Sequence, residues 1–259
     1  EESPQVLSES GIDVIPGSPR FLDKHTVEVE GKRIRSKSFI LSTGAHVWIP
    51  PIPGLGEVDY LTYEHVWMLK ELPERMVVLG GGAVGVEFSQ AFCRLGSEVI
   101  LLDAGKRLIK DADPKASRAL QRILESEGVE VHNQTLVDKV WRDDKGLHVQ
   151  AGDDVFLTDQ LLLSVGRRPN VSGMDLEQAG VDYDPRGIKV NRKMQTSQAN
   201  IYAAGDCTGG PQFTHVAGYQ AFNAVRNALL PGSTKSVIEN PPWTLFSDPE
   251  IAQVGLTSI

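Results

Sequence analysis

The chain has 259 residues, 41% of them apolar and 23% charged, an ordinary globular composition with material for one or two cores. Its net charge of −8 argues against a nucleic-acid-wrapping protein, for which a basic balance is the rule. No apolar run reaches the ~18 residues of a membrane span, no signal peptide opens the chain, and the two cysteines, Cys93 and Cys207, lie far apart in sequence and offer neither a disulfide framework nor a metal cluster; a cytoplasmic protein without membrane, nucleic-acid or metal sites is expected.

Met76–Leu79 is a short apolar run ending in glycines, which suits a buried parallel strand. From Gly82 the apolar residues Val84, Phe88, Ala91, Phe92 and Leu95 fall at helical spacing, and Gly96 closes the helix. Val99–Leu102 is a second buried strand, ending at Asp103. Asp113-Pro114 reads as N-cap and first helical residue, with Ala116, Leu120, Ile123 and Leu124 on one face and Gly128 as the stop. Val129–Val131 is a third strand. The runs Val137–Val140, Leu147–Val149 and Val155–Leu157, separated by polar turns, predict an antiparallel meander, and Leu161–Val165 a further buried strand. Ile201-Tyr-Ala-Ala is an apolar strand ending in Gly205-Asp206, and Thr244–Phe246 a short strand before the turn Asp248-Pro-Glu.

An internal repeat organises these elements. Glu9–Val14 resembles Ser126–Val131, and Thr26–Gly44 aligns with His148–Gly166 at a constant offset of 122, ending in Leu41-Ser-Thr-Gly44 and Leu163-Ser-Val-Gly166. The second copy is preceded by a glycine-rich strand–turn–helix at 76–96. The first copy has none within the chain, so a fragment with a halved first unit is expected.

The sharpest motif is Gly80-Gly-Gly-Ala83-Val84-Gly85, a G-x-G-x-x-G between a strand and a helix. Gly80 permits the tight turn, Gly82 lets a pyrophosphate approach the backbone, and Gly85 lets the helix pack closely. The free N–H groups of the helix start, with its positive dipole end, then receive the anion. Asp103, 23 residues after Gly80, is placed to accept from a ribose 2′-hydroxyl and would repel a 2′-phosphate, so NAD(H) is favoured over NADP(H). Lys106 and Arg107 could instead grip such a phosphate, or form a solvated loop. Glu87 is read as lying in the first helical turn, where its charge suits the helix dipole. Asp206, after its strand, is placed to bind a polyol or ribose hydroxyl, and with the strand ending at Gly44 it suggests a second nucleotide-binding domain split by insertion of the first.

Thr43-Gly44, Gly80–Gly85 with Glu87, Gly166-Arg-Arg-Pro-Asn170, Ala204-Gly-Asp206 and Asp248-Pro-Glu-Ile-Ala-Gln-Val-Gly255 occur in this order, and together they resemble the pyridine nucleotide–disulfide oxidoreductases, mercuric reductases and dihydrolipoamide dehydrogenases above all. The resemblance implies an α/β fold in which a Rossmann-like NAD(P)-binding domain with a β-meander is inserted into an incomplete FAD-binding domain of the same fold. The expected boundaries are 1–71 for the partial FAD domain and linker, 72–195 for the NAD(P) domain, 196–236 for the return segment, and 237–259 for the start of a truncated dimerisation domain. It implies NAD(P)H reducing FAD, which passes electrons to a disulfide or metal-ion acceptor, in a homodimer of the full-length protein. Gly80, Gly82, Ala83, Val84, Gly85, Glu87, Asp103 and Gly166 would then serve NAD(P), and Thr43, Gly44, Gly205, Asp206, Phe213, Thr214 and His215 would serve FAD. Glu87 would pair near the flavin with a lysine of the redox helix. The family's FAD fingerprint, its C-x-x-x-x-C redox pair and its C-terminal His–Glu pair are absent, so this chain alone should hold FAD weakly or not at all and show no reductase activity. Cys93 and Cys207 read as packing residues, and His215 equally as a packed or capping histidine. The alternative is a stand-alone dinucleotide-binding or sensing module without catalysis.

Overall fold

The computed structural model describes residues 3–236 and 241–256. In chain order it forms α1 (Pro4–Glu9), β1 (Arg20–Asp23), β2 (Thr26–Val29), β3 (Lys32–Arg35), β4 (Phe39–Leu41), β5 (Ala45–Val47), β6 (Arg75–Leu79), α2 (Ala83–Leu95) and β7 (Glu98–Asp103). It continues through α3 (Pro114–Glu127), β8 (Glu130–Asn133), β9 (Lys139–Asp143), β10 (Gly146–Ala151), β11 (Asp154–Thr158), β12 (Gln160–Leu163) and β13 (Arg167–Pro169). Then follow β14 (Tyr183–Asp184), β15 (Gly187–Ile188), β16 (Ile201–Ala203), α4 (Thr214–Leu229), β17 (Trp243–Leu245) and β18 (Ile251–Gln253). Among the described residues no helix is long and apolar enough to cross a membrane.

Two compact units emerge, one of 1–46 with 168–239, the other of 47–167 with 240–259. In the second, four parallel strands stand in the order β12-β6-β7-β8. The apolar runs of β12, β6 and β7 are buried on both faces, as a parallel sheet requires, while β8 at the edge is only partly covered. Met76, Val78, Val99 and Leu101 enter a core with Val86 and Phe92 of α2 and Leu120 and Leu124 of α3. The alternate residues Val77, Leu79 and Leu102 enter a core with Val140, Leu147 and Val149 of the β11-β10-β9 meander. The period-2 alternation of a strand thus divides one sheet between two cores.

Helix punctuation follows the sequence. Asp113 accepts a hydrogen bond from the Lys115 N–H at 2.7 Å with Pro114 behind it, and Gly96 and Gly128 end their helices in the left-handed region at φ 113° and 108°. The third strand begins one residue later than expected, and the first meander strand is shifted from Val137–Val140 to Lys139–Asp143, since pairing with β10 sets its ends.

In the first unit, β1-β2-β3 form a second meander, and β4 pairs in parallel with β16. The repeat extends to register: Val27 faces Ile34 across β2–β3, and Val149 faces Phe156 across β10–β11, the same positions displaced by the same offset. The repeat's opening does not carry over. Ile12 and Val14, aligned with the start of β8, are 51% and 41% exposed and form no strand, because no described strand lies alongside them as β7 does beside β8.

The unit boundaries also differ from the expected 72 and 195. Residues 47–71 group with the second unit because Leu55 is buried with Val77, Val137 and Val140, and Leu61 bridges to Leu162 of β12. Residues 168–195 group with the first because Met174, Leu176, Val181 and Ile188 share a core with Phe21, Val27, Leu41 and Ile201. The described part of 237–259 packs on the second unit, where Leu245 joins the core under α2.

Candidate functional site

In the second unit, β6 ends at Leu79 and the chain turns through Gly80 to Gly82, the N-cap residue of α2. Gly80 has φ +104°, and a β-carbon there would fall 2.5 Å from the Ser164 carbonyl oxygen; both conformation and space demand glycine. A β-carbon at Gly85 would lie 1.8 Å from the Gly80 carbonyl oxygen, so α2 rests directly on the turn. Gly82 has ordinary φ −78° and nothing within 4 Å of a would-be β-carbon. No side chain caps α2, and its first intrahelical bond runs from Val86 N–H to Gly82 O at 3.0 Å, leaving the amides of Ala83, Val84 and Gly85 outside the helical ladder. Open space above Gly82, amides without helical acceptors and a positive dipole end form a cradle that fits an anionic group.

Asp103 closes β7 beside this turn. A β-carbon on Gly81 would come 3.0 Å from its carboxyl carbon, and one on Gly105 would come 2.9 Å from Oδ2. The carboxylate therefore lies against two glycines, and Gly81, which the fingerprint leaves variable, is crowded by the side chains of Leu108 and Asp103. Arg107 Nη2 donates to the Lys110 carbonyl within its own loop, while its Nε is buried without a hydrogen-bond partner. Lys106 is exposed. Gly166, beyond β12, has φ +125° and open space where a side chain would be.

Glu87 differs from its reading in the sequence. It is the fifth residue of α2, outside the first turn, and its carboxylate accepts the Phe246 N–H at 2.9 Å. Burial raises its pKa above the ordinary carboxylate range, and that hydrogen bond opposes the rise. Two helical steps along the same face continue the attachment. Gln90 Nε2 donates to the Asp248 carbonyl and the Asp248 N–H donates to Gln90 Oε1, both at 2.8 Å. Arg94 donates to Asp248 at 2.9 Å and pairs with Glu127 of α3 at 2.6 Å, which holds Glu127 below its ordinary pKa.

In the first unit, the Thr43 hydroxyl donates to the Asn170 carbonyl at 2.8 Å, Asn170 Nδ2 returns a bond to the Thr43 carbonyl at 2.7 Å, and the Asn170 N–H donates to Gly44 O at 2.9 Å. Thr43 is thus engaged by Asn170. Gly205 sits at φ +79°, and its N–H donates to Gln220 Oε1 at 2.8 Å, while Asp206 opens a short 3-10 turn. Phe213 is the N-cap residue of α4 and stacks on the exposed His215, ring centroids 5.5 Å apart; Thr214 begins the helix, which has no side-chain cap. The sequence reading quoted Asn170 only as the end of a motif, without this tie to Thr43, and passed over Gln220. Gln220 had a signal, being a buried polar residue on the apolar face of an alanine-rich helix.

Neither cysteine is primed for thiolate chemistry. Cys207 is fully buried and donates toward the Ala204 carbonyl at 3.3 Å, and Cys93 donates to the Glu127 carbonyl at 3.3 Å; burial pushes both thiols up.

The model of the pyridine nucleotide-disulphide oxidoreductase family matches residues 1–221. A mercuric reductase of Staphylococcus aureus is 40% identical over 257 residues, covering 97% of this chain and 47% of that protein. A dihydrolipoyl dehydrogenase of Bacillus subtilis (strain 168) is 35% identical over 260 residues, covering 97% and 56%. The HOCl-induced flavoprotein disulfide reductase RclA from Escherichia coli superposes with a TM-score of 0.90 at 30% identity, over 98% of this chain and 60% of that one. The chain spans about half the length of the curated relatives it matches.

Proposed function

The chain belongs to the pyridine nucleotide-disulphide oxidoreductase family, and from that premise we propose that its second unit is the nicotinamide-dinucleotide module of a flavin-dependent oxidoreductase. The longer protein would pass electrons from NAD(P)H through FAD to a disulfide or a metal ion, as a cytoplasmic homodimer. The observation that carries the proposal is the uncapped, open turn at Gly82 with the Asp103 carboxylate against Gly81.

On this reading the amides at the start of α2 hold the pyrophosphate, and Asp103 accepts from the adenosine ribose. A carboxylate facing a 2′-phosphate would pay charge repulsion, so NADH is preferred over NADPH. Gly166, without a side chain, leaves room for the nicotinamide end. The bound nicotinamide would supply a hydride and the flavin would relay its two electrons.

For FAD the fit is partial. Gly44, Gly205, Asp206 and the uncapped start of α4 at Phe213–His215 offer contacts to hydroxyls and ring, but the described residues of the first unit hold no second glycine-rich turn of the G-x-G-x-x-G kind. This chain alone is therefore proposed to bind NADH and to retain little flavin.

The test is a calorimetric titration of the chain with NADH and NADPH. Saturable one-to-one binding, tighter for NADH, is expected. Absence of binding by either at millimolar concentration would overturn the proposal.

A further inference from the structure

Ser164 stands at the end of β12, beside the glycine turn and outside the G-x-G-x-x-G pattern. Its Oγ lies 2.6 Å from the Leu79 carbonyl oxygen and 3.0 Å from the Gly80 carbonyl oxygen. Its main-chain N–H donates to Leu79 O at 2.8 Å, and its carbonyl oxygen occupies the space a Gly80 β-carbon would need, 2.5 Å away. One residue therefore holds the last strand carbonyl and the first turn carbonyl and fills the place of a side chain at Gly80. A hydroxyl has a single proton, which the two carbonyls share.

From this geometry we infer that Ser164 is a positioning residue for the dinucleotide turn, an inference that rests on reading the turn as the nucleotide site. In a trans peptide the C=O and the following N–H point in opposite directions. Tethering the Gly80 carbonyl to Ser164 thus fixes the direction of the Gly81 N–H. Gly80, Gly81 and Gly82 have no side chains of their own to hold that plane, and glycine backbone is the most freely rotating of all. The Gly80 carbonyl is also the atom against which Gly85 closes, so its orientation sets how α2, with its amides, meets the ligand. Fixing the plane before binding spares the ligand the cost of ordering it. Ser42, the counterpart of Ser164 in the first repeat, is exposed, and no glycine turn of this kind stands among the described residues of its unit.

The experiment compares wild type, Ser164→Ala and Ser164→Cys, the last being near-isosteric but a poor donor. Dissociation constants are measured for NADH, for ADP-ribose, which keeps the pyrophosphate, and for adenosine, which lacks it. Thermal midpoints and amide hydrogen exchange across 79–85 are recorded on the same samples. The expectation for Ser164→Ala is a five- to tenfold weaker affinity for NADH and ADP-ribose, unchanged adenosine affinity, and faster exchange confined to the turn. Ser164→Cys should fall between wild type and alanine, and it carries the same comparison should the alanine variant fail to fold. Unchanged NADH affinity in a folded variant overturns the inference, as does an equal loss for adenosine and ADP-ribose, which marks general damage. Failure of wild type to bind NADH at all would instead sink the nucleotide-site reading beneath it.

Discussion

Gly85 sits directly on Gly80: a β-carbon at the former would fall 1.8 Å from the carbonyl oxygen of the latter, whereas a β-carbon at Gly82, between them in the chain, would face nothing within 4 Å. The glycines of one motif therefore answer to different demands, and substitution separates them. Gly85→Ala forces a methyl group against the Gly80 carbonyl and is expected to destabilise the second unit by about 1–3 kcal/mol, the usual cost of overpacking. Urea denaturation of the chain measures it; an unchanged midpoint would show that α2 can lift off the turn without penalty.

Gly82→Val is expected to behave in the opposite way. The position has ordinary backbone geometry and room for a side chain, so the fold should persist with a loss near the few tenths of a kcal/mol typical of exposed positions. The branched side chain would occupy the space read as the pyrophosphate site, and NADH binding should be abolished. A folded variant that keeps its NADH affinity would refute the assignment of that space.

Asp103→Ser removes the charge beside Gly81 while keeping a small polar group. The ratio of NADPH to NADH affinity should rise by about tenfold or more, the size of one lost pairwise charge effect. Paired titrations decide it. If the ratio does not move, Asp103 is not the group that distinguishes the two cofactors.

Glu87 supplies a pH prediction. Burial raises its pKa in the folded chain above the ordinary carboxylate value of about 4.3. The folded state therefore binds the proton more readily than the unfolded one across that window. Stability linked to Glu87 is fully present below the unfolded value and is lost as pH rises through the folded one. Glu87→Gln keeps an oxygen for the Phe246 N–H and removes the charge. The pH dependence of its thermal midpoint should be flatter than that of wild type from about pH 4 upward, with the variant the more stable once Glu87 of the wild type is ionised. Parallel slopes for the two proteins would contradict the burial argument.

Flavin retention tests the first unit. Incubated with excess FAD and freed of unbound ligand, the chain should show little visible absorbance. Stoichiometric flavin would mean that Gly44, Gly205, Asp206 and the start of α4 suffice without a glycine-rich turn.

Periodicity and punctuation made most of the second unit legible in the sequence. Buried parallel strands such as Met76–Leu79 are continuous apolar runs, and Asp113-Pro114, Gly96 and Gly128 mark helix ends by local chemistry alone. Less legible were features that depend on distant partners. The unit boundaries followed which core Leu55 and Leu176 joined, a tertiary choice with no local mark. Glu87 was placed by the amide of Phe246, 159 residues away. Ser164 had a faint signal, since the repeat carries serine at both Ser42 and Ser164, but only proximity to Gly80 gave it a task.

The shared register of the two meanders has a kinetic consequence. β4 and β12 lead into the similar runs Phe39-Ile-Leu-Ser-Thr-Gly44 and Leu161-Leu-Leu-Ser-Val-Gly166, each following a meander of the same pattern, yet only β12 pairs with β6. With comparable apolar content and the same strand direction, β4 is expected to compete for that place during refolding. Misassembly between similar modules of one chain is a known hazard. Such a swapped intermediate must unpair before the native sheet closes, so refolding of the whole chain should be slower than that of its second unit's sheet sequence lacking β4, and should give its poorest yield where chains fold slowly and crowd one another.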